Sequence, residues 1–502
     1  MRSLTTRARL LATTALVFGA LAAPAHAATY CAWDGVAYGA YDNMVALAGS
    51  QCQVTASGIS FQAGQNPPAL PGPPPPLYID TGIPYTGFAF IAYEGGSIES
   101  DGDNVSITSY PGSFPGEPTA PYGVISDGDS DGTRSSVAFH GTTTVTTTSD
   151  SAYGLYATAY DTPTPFRVGG TISSTAAMTV ATSGAGASGV VADGGGTVTL
   201  SGGGSVTTSG DGSDGVHATG SQSTITATGV AIATSGAGSP GVAADEGGVV
   251  TLNGGSVTTT GAGSDGLYVT GASSAITAAG VSITTGASEA PASDSVGVTA
   301  SNFGTATLDG GSVTTHGASS AGLYASGTGA SITGGLREGV GVSVTTTGAG
   351  SAGALAGDGG AVALTGGSVT TSGTSAAGLA ASGTNGAGTA SRIVAQNVAV
   401  LTRGASANGV QADGGGSVQL SGGSVTTSGT ANAGVYATGL STAIVADNVA
   451  VSASGLSTGA DSSNGVTADS RATLTFTGGS VKPGTTAYKP EHVILSQVQV
   501  AF

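Results

Sequence analysis

The sequence predicts an all-β protein, a right-handed parallel β-helix of about 14 rungs with an N-terminal cap. The phrase GGSVTT, or a close variant, recurs with serines 51, 56, 56, 56 and 56 residues apart. Each repeat divides into halves of about 28 residues, in which β-branched residues alternate with small polar ones. A fixed period of this size is typical of a solenoid, and the alternation is typical of strands. The serines of the phrase are Ser205, Ser256, Ser312, Ser368, Ser424 and Ser480.

Residues 1–27 are predicted to be a secretory signal peptide. Three arginines precede an apolar stretch from Leu10 to Ala23, and Ala25-His26-Ala27 fits a small-x-small cleavage site. No later apolar run approaches the roughly 20 residues of a transmembrane helix. We therefore expect an exported chain without a transmembrane span. It would cross the periplasm in transit and reside at the cell surface or in the extracellular space.

The charge balance excludes some partners. The chain has 29 acidic and 11 basic residues, a net charge of −18, and only 8% of its residues are charged. Nucleic acids and anionic membrane surfaces require basic patches, so we expect neither as a partner.

Residues 28–99 are predicted to form the N-terminal cap and a connector. Cys31 and Cys52 are the two cysteines of the chain, and export to an oxidising compartment favours a disulfide between them. The alternative is a pair of free, buried thiols. The proline-rich stretch 67–76 cannot donate to a strand ladder, which indicates a stiff connector.

Residues 100–481 are predicted to be the β-helix, and residues 482–502 a C-terminal tail. In "GLYVT", Leu267 and Val269 share one face and Tyr268 the other, which predicts an inward pair and an outward tyrosine. The same phase places Leu323 and Val435 inside. Stacking completes the hydrogen bonds of units that are too small to be stable alone.

The chain combines a signal peptide with repeats such as "GGSVTTTGAGSDGLYVTG". Over roughly residues 100–481 it resembles the passenger region of bacterial autotransporters, the pertactin-like β-helices. The resemblance implies display at the outer membrane and a role in adhesion, autoaggregation or biofilm formation. Implied partners are a host or bacterial surface glycan or protein, or a second copy of the chain. Autotransporters end in an outer-membrane barrel, and about 20 residues follow Val481, too few for its strands. This leaves as alternatives a passenger-only paralogue, a truncated gene, or half of a split system with a separate outer-membrane barrel. The alternatives are a passive stalk of the cell envelope and an envelope glycan-acting enzyme.

No catalytic site is predicted. Asp80 in "IDTG", His140 in "HGT" and Ser375 in "GTSAA" follow the order of a subtilase triad. The triad requires helices after its motifs, whereas His140 runs into "GTTTVTTT" and Ser375 lies within a repeat. One unit later Ala431 replaces this serine.

One weak calcium site is predicted, and no other cofactor. Asp127, Asp129 and Asp131 match the first half of an EF-hand loop, but Ala138 stands where the loop needs Glu. The alternative is an Asx-rich turn.

Two ladders recur with the repeat. The first is a surface ladder, which is broken by Ala380 and comprises Tyr156, His217, Tyr268, Tyr324 and Tyr436. Exposed aromatic side chains on a rigid face suit recognition of a carbohydrate or a protein. The alternative is that these side chains only pack against one another from rung to rung. The second is an acidic ladder that either caps its own turns or gathers cations. It comprises Asp127, Asp193, Asp245, Asn302, Asp358, Asp413 and Asp469.

Overall fold

The computed structural model describes the chain in segments. These are residues 31–33, 44–46, 51–54, 60–63, 90–92, 95–109, 122–128, 134–159, 168–287, 293–455, 464–482, 486–489, 493–496 and 499–500. Every regular element in them is a β-strand. The predicted signal peptide and the proline-rich stretch lie outside these segments.

Each rung contributes one strand to each of three sheets. Sheet A contains β1 (Cys31–Trp33), β2 (Met44–Ala46), β5 (Phe90–Ala92), β8 (Val124–Gly128), β11 (Leu155–Ala159), β14 (Val190–Asp193), β17 (Val216–Thr219), β20 (Val242–Asp245), β23 (Leu267–Thr270), β26 (Val298–Ser301), β29 (Leu323–Ser326), β32 (Ala354–Gly357), β35 (Leu379–Ser382), β38 (Val410–Asp413), β41 (Ala433–Thr438), β44 (Asn464–Asp469) and β47 (Thr486–Lys489).

Sheet B contains β3 (Gln51–Val54), β6 (Ser97–Ser100), β9 (Ser136–Phe139), β12 (Thr171–Ser174), β15 (Thr197–Leu200), β18 (Thr224–Thr228), β21 (Val249–Asn253), β24 (Ala275–Ala279), β27 (Thr305–Asp309), β30 (Ser331–Gly335), β33 (Ala361–Thr365), β36 (Arg392–Gln396), β39 (Ser417–Ser421), β42 (Ala443–Asp447), β45 (Thr473–Thr477) and β48 (Val493–Ser496).

Sheet C contains β4 (Ser60–Ala63), β7 (Val105–Ser109), β10 (Thr143–Thr147), β13 (Met178–Thr182), β16 (Gly204–Thr208), β19 (Val230–Thr234), β22 (Ser256–Thr259), β25 (Ser282–Thr285), β28 (Ser312–Thr315), β31 (Ser343–Thr346), β34 (Ser368–Thr371), β37 (Ala399–Thr402), β40 (Ser424–Thr427), β43 (Ala450–Ala453), β46 (Ser480–Lys482) and β49 (Gln499–Val500).

The predicted parallel β-helix is confirmed. Each strand pairs in parallel with the strand three places later, for example β21 with β24 and β22 with β25. Among the described strands only β1 and β2 pair antiparallel. Sheets B and C have 16 strands each, so the number of rungs differs slightly from the expected 14. The difference arises because β3 and β4 pair with β6 and β7 before residue 100, and β48 and β49 pair with β45 and β46 after residue 481.

The core is a continuous apolar column inside the three sheets. Leu267, Val269, Leu323 and Val435 are fully buried there, as the alternation predicts. Val257 of the repeated phrase is also fully buried.

The repeated phrase forms the corner between sheets B and C and the strand after it. Gly254 and Gly255 have φ angles of 68° and 82°, which glycine adopts without strain. A Cβ on Gly255 would lie 2.2 Å from the carbonyl oxygen of Val230. The hydroxyl of Thr259 is buried and donates to the carbonyl of Ser264, 2.7 Å away. The two glycines, the valine and the last threonine of GGSVTT therefore have structural roles, whereas Ser256 and Thr258 face outward.

A buried serine ladder lines the corner between sheets C and A. Each serine Oγ accepts the backbone N–H of its counterpart one rung earlier, as Ser264 does from Ser239 at 3.0 Å. Five of these serines also donate to a glycine carbonyl, as Ser264 does to Gly236 at 2.9 Å. The ladder comprises Ser213, Ser239, Ser264, Ser295, Ser320 and Ser351.

Within the described segments there is no helix that is long and apolar enough to cross a membrane.

Candidate recognition face on sheet A

The outward surface of sheet A presents side chains in vertical columns. Within each strand the alternation turns one residue outward, and the register stacks that residue on its counterparts. A glycine stands immediately before many of the sheet A strands, and the residues that precede this glycine form a parallel column at the corner. In successive rungs this corner column contains Tyr122, Tyr153, Ser188, Asp214, Pro240, Asp265 and Val296.

The register places the five residues of the surface ladder in one outward column, which we call the tyrosine column. Val191 lies between Tyr156 and His217, and Ala243 lies between His217 and Tyr268. The ladder residues are half-buried, whereas Val191 and Ala243 are 4% exposed. The larger side chains therefore cover the smaller ones between them and form a continuous surface.

Three tyrosines form an aromatic cluster at the N-terminal part of this face. The rings of Tyr122 and Tyr153 are stacked with centroids 5.1 Å apart. Tyr156 meets Tyr153 edge to face at 5.3 Å and lies 5.4 Å from Tyr122. Contacts of this kind contribute about 0.5–1.5 kcal/mol each beyond the buried area. The tyrosine cluster is thus a preorganised group of rings on a rigid sheet.

The phenol groups of the tyrosine cluster stay protonated at neutral pH. Tyr156 donates a hydrogen bond to Oδ2 of Asp193 at 3.2 Å. Burial raises the pKa of all three phenols, and the nearby charges of Asp193 and Asp214 add to the increase at Tyr153. These hydroxyl groups can therefore serve as hydrogen-bond donors.

His217 is held between two carboxylates in what we call the histidine clamp. Its Nδ1 lies 3.1 Å from Asp214 in the same rung, and its Nε2 lies 3.2 Å from Asp245 in the next rung. Burial lowers the pKa of His217, but the bonds to Asp214 and Asp245 outweigh it and raise the pKa to about 10. The bond to His217 also lowers the pKa of Asp245. The clamp therefore keeps His217 protonated at neutral pH.

Asp265 adds a largely buried carboxyl group two rungs beyond Asp214 in the corner column. It accepts a hydrogen bond from the backbone N–H of Val296 at 2.8 Å. Burial raises the pKa of Asp265 to about 6, although this bond opposes the increase. Its charge therefore changes in mildly acidic solution.

The acidic ladder does not form a single column. Asp193, Asp245, Asp413 and Asp469 occupy the last position of their sheet A strands. Asn302 and Asp358 lie one residue later, in the corner, where both have positive φ angles. Asx residues at such positions stabilise the turn itself.

The predicted calcium site and disulfide remain predictions. Asp127 lies at the end region of β8, but Asp129 and Asp131 fall outside the described residues. Among the residues that are described, no group of three or more His, Cys, Asp and Glu is placed to hold a metal ion. Cys31 and Cys52 lie in β1 and β3, and their side chains are outside the described part.

The triad-like phrases are not brought together. His140 follows β9 and Ser375 follows β34, about eight rungs or roughly 40 Å apart along the stack. The ring of His140 contacts Thr175 at 3.4 Å, and Ser375 adopts a φ of 55° in a corner. Asp80 lies outside the described residues.

Tyr122, Tyr153 and Asp214 are residues of this face that the strand alternation alone does not indicate. They precede glycine in "YGV", "YGL" and "DGV", just before the strand begins. Alignment of the half-repeats on that glycine provides the signal, because it puts all three in one column. Their contacts with Tyr156 and His217 follow from this register.

The arrangement combines aromatic rings, phenol donors and carboxylate acceptors on a surface with little conformational freedom. These groups suit the binding of a polar partner by stacking and hydrogen bonding.

Comparisons with known proteins add no family. No family model matches the chain, and no curated protein matches it. Among solved structures, the chain is similar to the periplasmic alginate epimerase AlgG, with a TM-score of 0.21 and 9% identity over 83% of this chain and 78% of the other. A double mutant of that epimerase gives a TM-score of 0.22 and 8% identity over 92% and 86% of the two chains. Likeness at this level supports no argument about function.

Proposed function

We propose that this protein is an exported, surface-displayed β-helix of the passenger type and that it acts in adhesion through the outward face of sheet A. The observation that supports the proposal most strongly is the tyrosine cluster beside Asp193 and the histidine clamp. Rigid aromatic side chains lose little entropy on binding and are the usual anchors of recognition surfaces. The partner is a surface glycan or a protein.

The stacked sheets supply the display. Sixteen strands at about 4.8 Å give a rod of roughly 70 Å. A rod of this length holds the tyrosine cluster away from the surface to which the chain is attached.

The proposal is tested by displaying the chain on cells that do not otherwise clump, and by measuring cell–cell clumping and adhesion to glycan- and protein-coated surfaces. We expect the double substitution Tyr122→Ser and Tyr153→Ser to weaken adhesion about tenfold or more, equivalent to roughly 1.4 kcal/mol. The matched control is Tyr436→Ser, which removes a column tyrosine far from the cluster.

The passive stalk makes the opposite prediction. Tyrosine substitutions would then leave every readout unchanged, and only the number of rungs would matter. Adhesion that persists at full strength in the double variant would overturn the proposed role of the sheet A face.

A further inference from the structure

The outward face of sheet C presents hydroxyl groups in two long rows, which alanine or leucine interrupts at six positions. In β22, Val257 and Thr259 are buried while Ser256 and Thr258 face outward, and other strands of sheet C repeat this pattern. The serine row comprises Ser106, Thr144, Thr179, Ser205, Ala231, Ser256, Ser282, Ser312, Ser343, Ser368, Ala399, Ser424 and Ala450. The threonine row comprises Thr108, Thr146, Ala181, Thr207, Ala233, Thr258, Thr284, Thr314, Thr345, Thr370, Leu401, Thr426 and Ser452.

The two rows define a lattice with constant repeats. Neighbouring rungs are about 4.8 Å apart, and residues two apart in a strand are separated by about 6.6 Å. The pairing shows no register slip between β7 and β43. The β-branched threonines have few rotamers, so their hydroxyls hold their positions.

This lattice carries no charge. Neither row contains an acidic or basic residue from Ser106 to Ser452. The charges described on and beside sheet A, by contrast, include the histidine clamp and the carboxyl groups of Asp193, Asp265, Asp413 and Asp469. The difference between the two faces is pronounced in a chain with 29 acidic residues.

The hydroxyls of the threonine row are available to a ligand. In the serine row two pairs of hydroxyls bond to each other: Ser312 donates to Ser282 at 3.2 Å, and the hydroxyls of Ser343 and Ser368 are 3.3 Å apart. Within the described residues, the threonines of the threonine row make no side-chain hydrogen bond to the chain. Their hydroxyls therefore bond outward, at the spacing that the sheet imposes.

We propose that the outward face of sheet C binds ice, with its hydroxyls taking the place of water molecules at the crystal surface. Ice is a periodic, uncharged hydrogen-bonding partner, and a rigid, uncharged hydroxyl lattice is complementary to it. Charged groups would hold water in arrangements that the crystal does not share. A flexible glycan is a poorer fit, because neither row contains an aromatic ring for stacking. A protein partner is a poorer fit, because the rows lack the aromatic, Met and Arg residues of interface cores.

The test uses the purified exported chain and measures the gap between its melting and freezing temperatures, together with ice-crystal shape. We expect a measurable gap and faceted crystals. The double substitution Thr258→Lys and Thr314→Lys is expected to abolish both, because it places two charges in the threonine row. The matched control is Thr251→Lys with Thr307→Lys, which alters outward threonines of sheet B in the same two rungs. Far-ultraviolet circular dichroism confirms that both variants remain folded.

Two outcomes would overturn the proposal: a folded wild-type chain without any freezing gap, or equal loss of the gap in both lysine variants. The inference does not depend on the sheet A face. The Tyr122→Ser and Tyr153→Ser variant is expected to keep the full freezing gap, so failure of one proposal leaves the other intact.

Discussion

At the corner between sheets C and A, neighbouring rungs lie so close together that a Cβ atom on the corner glycine would clash with the next rung. A Cβ on Gly266 would lie 2.4 Å from Cγ2 of Ile283 and 2.5 Å from the carbonyl oxygen of Gly297. Both neighbours belong to the next rung and cannot move without breaking its ladder. We expect Gly266→Ala to lower the free energy of unfolding by about 1–3 kcal/mol, as overpacked sites do, and to lower the midpoint of denaturant unfolding.

The matched control at this scale is Gly386→Ala. A Cβ on Gly386 meets nothing within 4 Å, and the residue does not have a positive φ angle. The midpoint of denaturant unfolding of the Gly386→Ala variant should equal that of the wild type. Equal midpoints for all three chains would show that the corner column tolerates a side chain.

The histidine clamp makes stability depend on pH. The folded pKa of His217, about 10, lies above the ordinary value of 6.5. The folded state therefore binds this proton more tightly than the unfolded state does. The resulting stabilisation is complete below pH 6.5 and is lost as the pH rises toward 10. We expect the difference in unfolding midpoint between the wild type and His217→Gln to shrink between pH 7 and pH 10.

The control for this pH series is His316→Gln, because His316 contacts the hydroxyl of Thr347 at 3.3 Å and no carboxylate. Direct titration of the His217 ring by NMR provides a second readout. An imidazole that titrates near pH 6.5 would contradict the clamp.

Residue positions differ in how far the sequence predicts them. Alternation in "GLYVT" is enough to place Leu267 inside and Tyr268 outside, because period two is a property of the strand itself. The contact between His217 and Asp245 joins residues 28 apart in the chain. It requires a register that is correct to one residue, since a shift of one would move the carboxylate away from the ring. Local patterns do not determine that register when paired residues of neighbouring rungs are from 25 residues apart, as Ile232 and Val257 are, to 38 apart, as Ile107 and Val145 are.

At the scale of the structural element, hydrogen-bonded ladders hold the corners together, although Gly and Ser in a sequence are typical of loops. Ser264→Ala would remove the acceptor of the Ser239 N–H and the donor to the Gly236 carbonyl. Leaving such buried groups unsatisfied costs about 1–3 kcal/mol. We expect a matching fall in the unfolding free energy and faster amide exchange at Ser239. Ser209→Ala, at an exposed serine after β16, should change neither quantity.

The ladders also explain why composition predicts the architecture of this chain better than its function. Gly, Ser and Thr satisfy the corners and the core edge in most of the described rungs, so they recur with the repeat. The tyrosine cluster depends on residues that differ from rung to rung, such as Tyr153 and Ser188 in the corner column. Deviations from the repeat therefore indicate the sheet A face, while the hydroxyl residues of the repeat itself produce the sheet C lattice.

At the scale of the whole molecule, the 56-residue period corresponds to two rungs, and the chain can lose one period without losing phase. Deletion of residues 313–368 joins Ser312 to Val369 and restores the strand Ser-Val-Thr-Thr at the junction. The strand formed at the junction then pairs with β25 as β28 does in the full chain. We expect a folded rod that is shorter by about 10 Å in small-angle X-ray scattering. The circular dichroism per residue of this shortened chain should be unchanged.

Deletion of residues 313–326 joins Ser312 to Gly327 instead, which removes one strand from sheet C and one from sheet A. The following strands would then meet the wrong sheet with their apolar residues out of register, so this shorter deletion should unfold or aggregate. Equal behaviour of the two deletions would show that neighbouring rungs do not depend on a common phase.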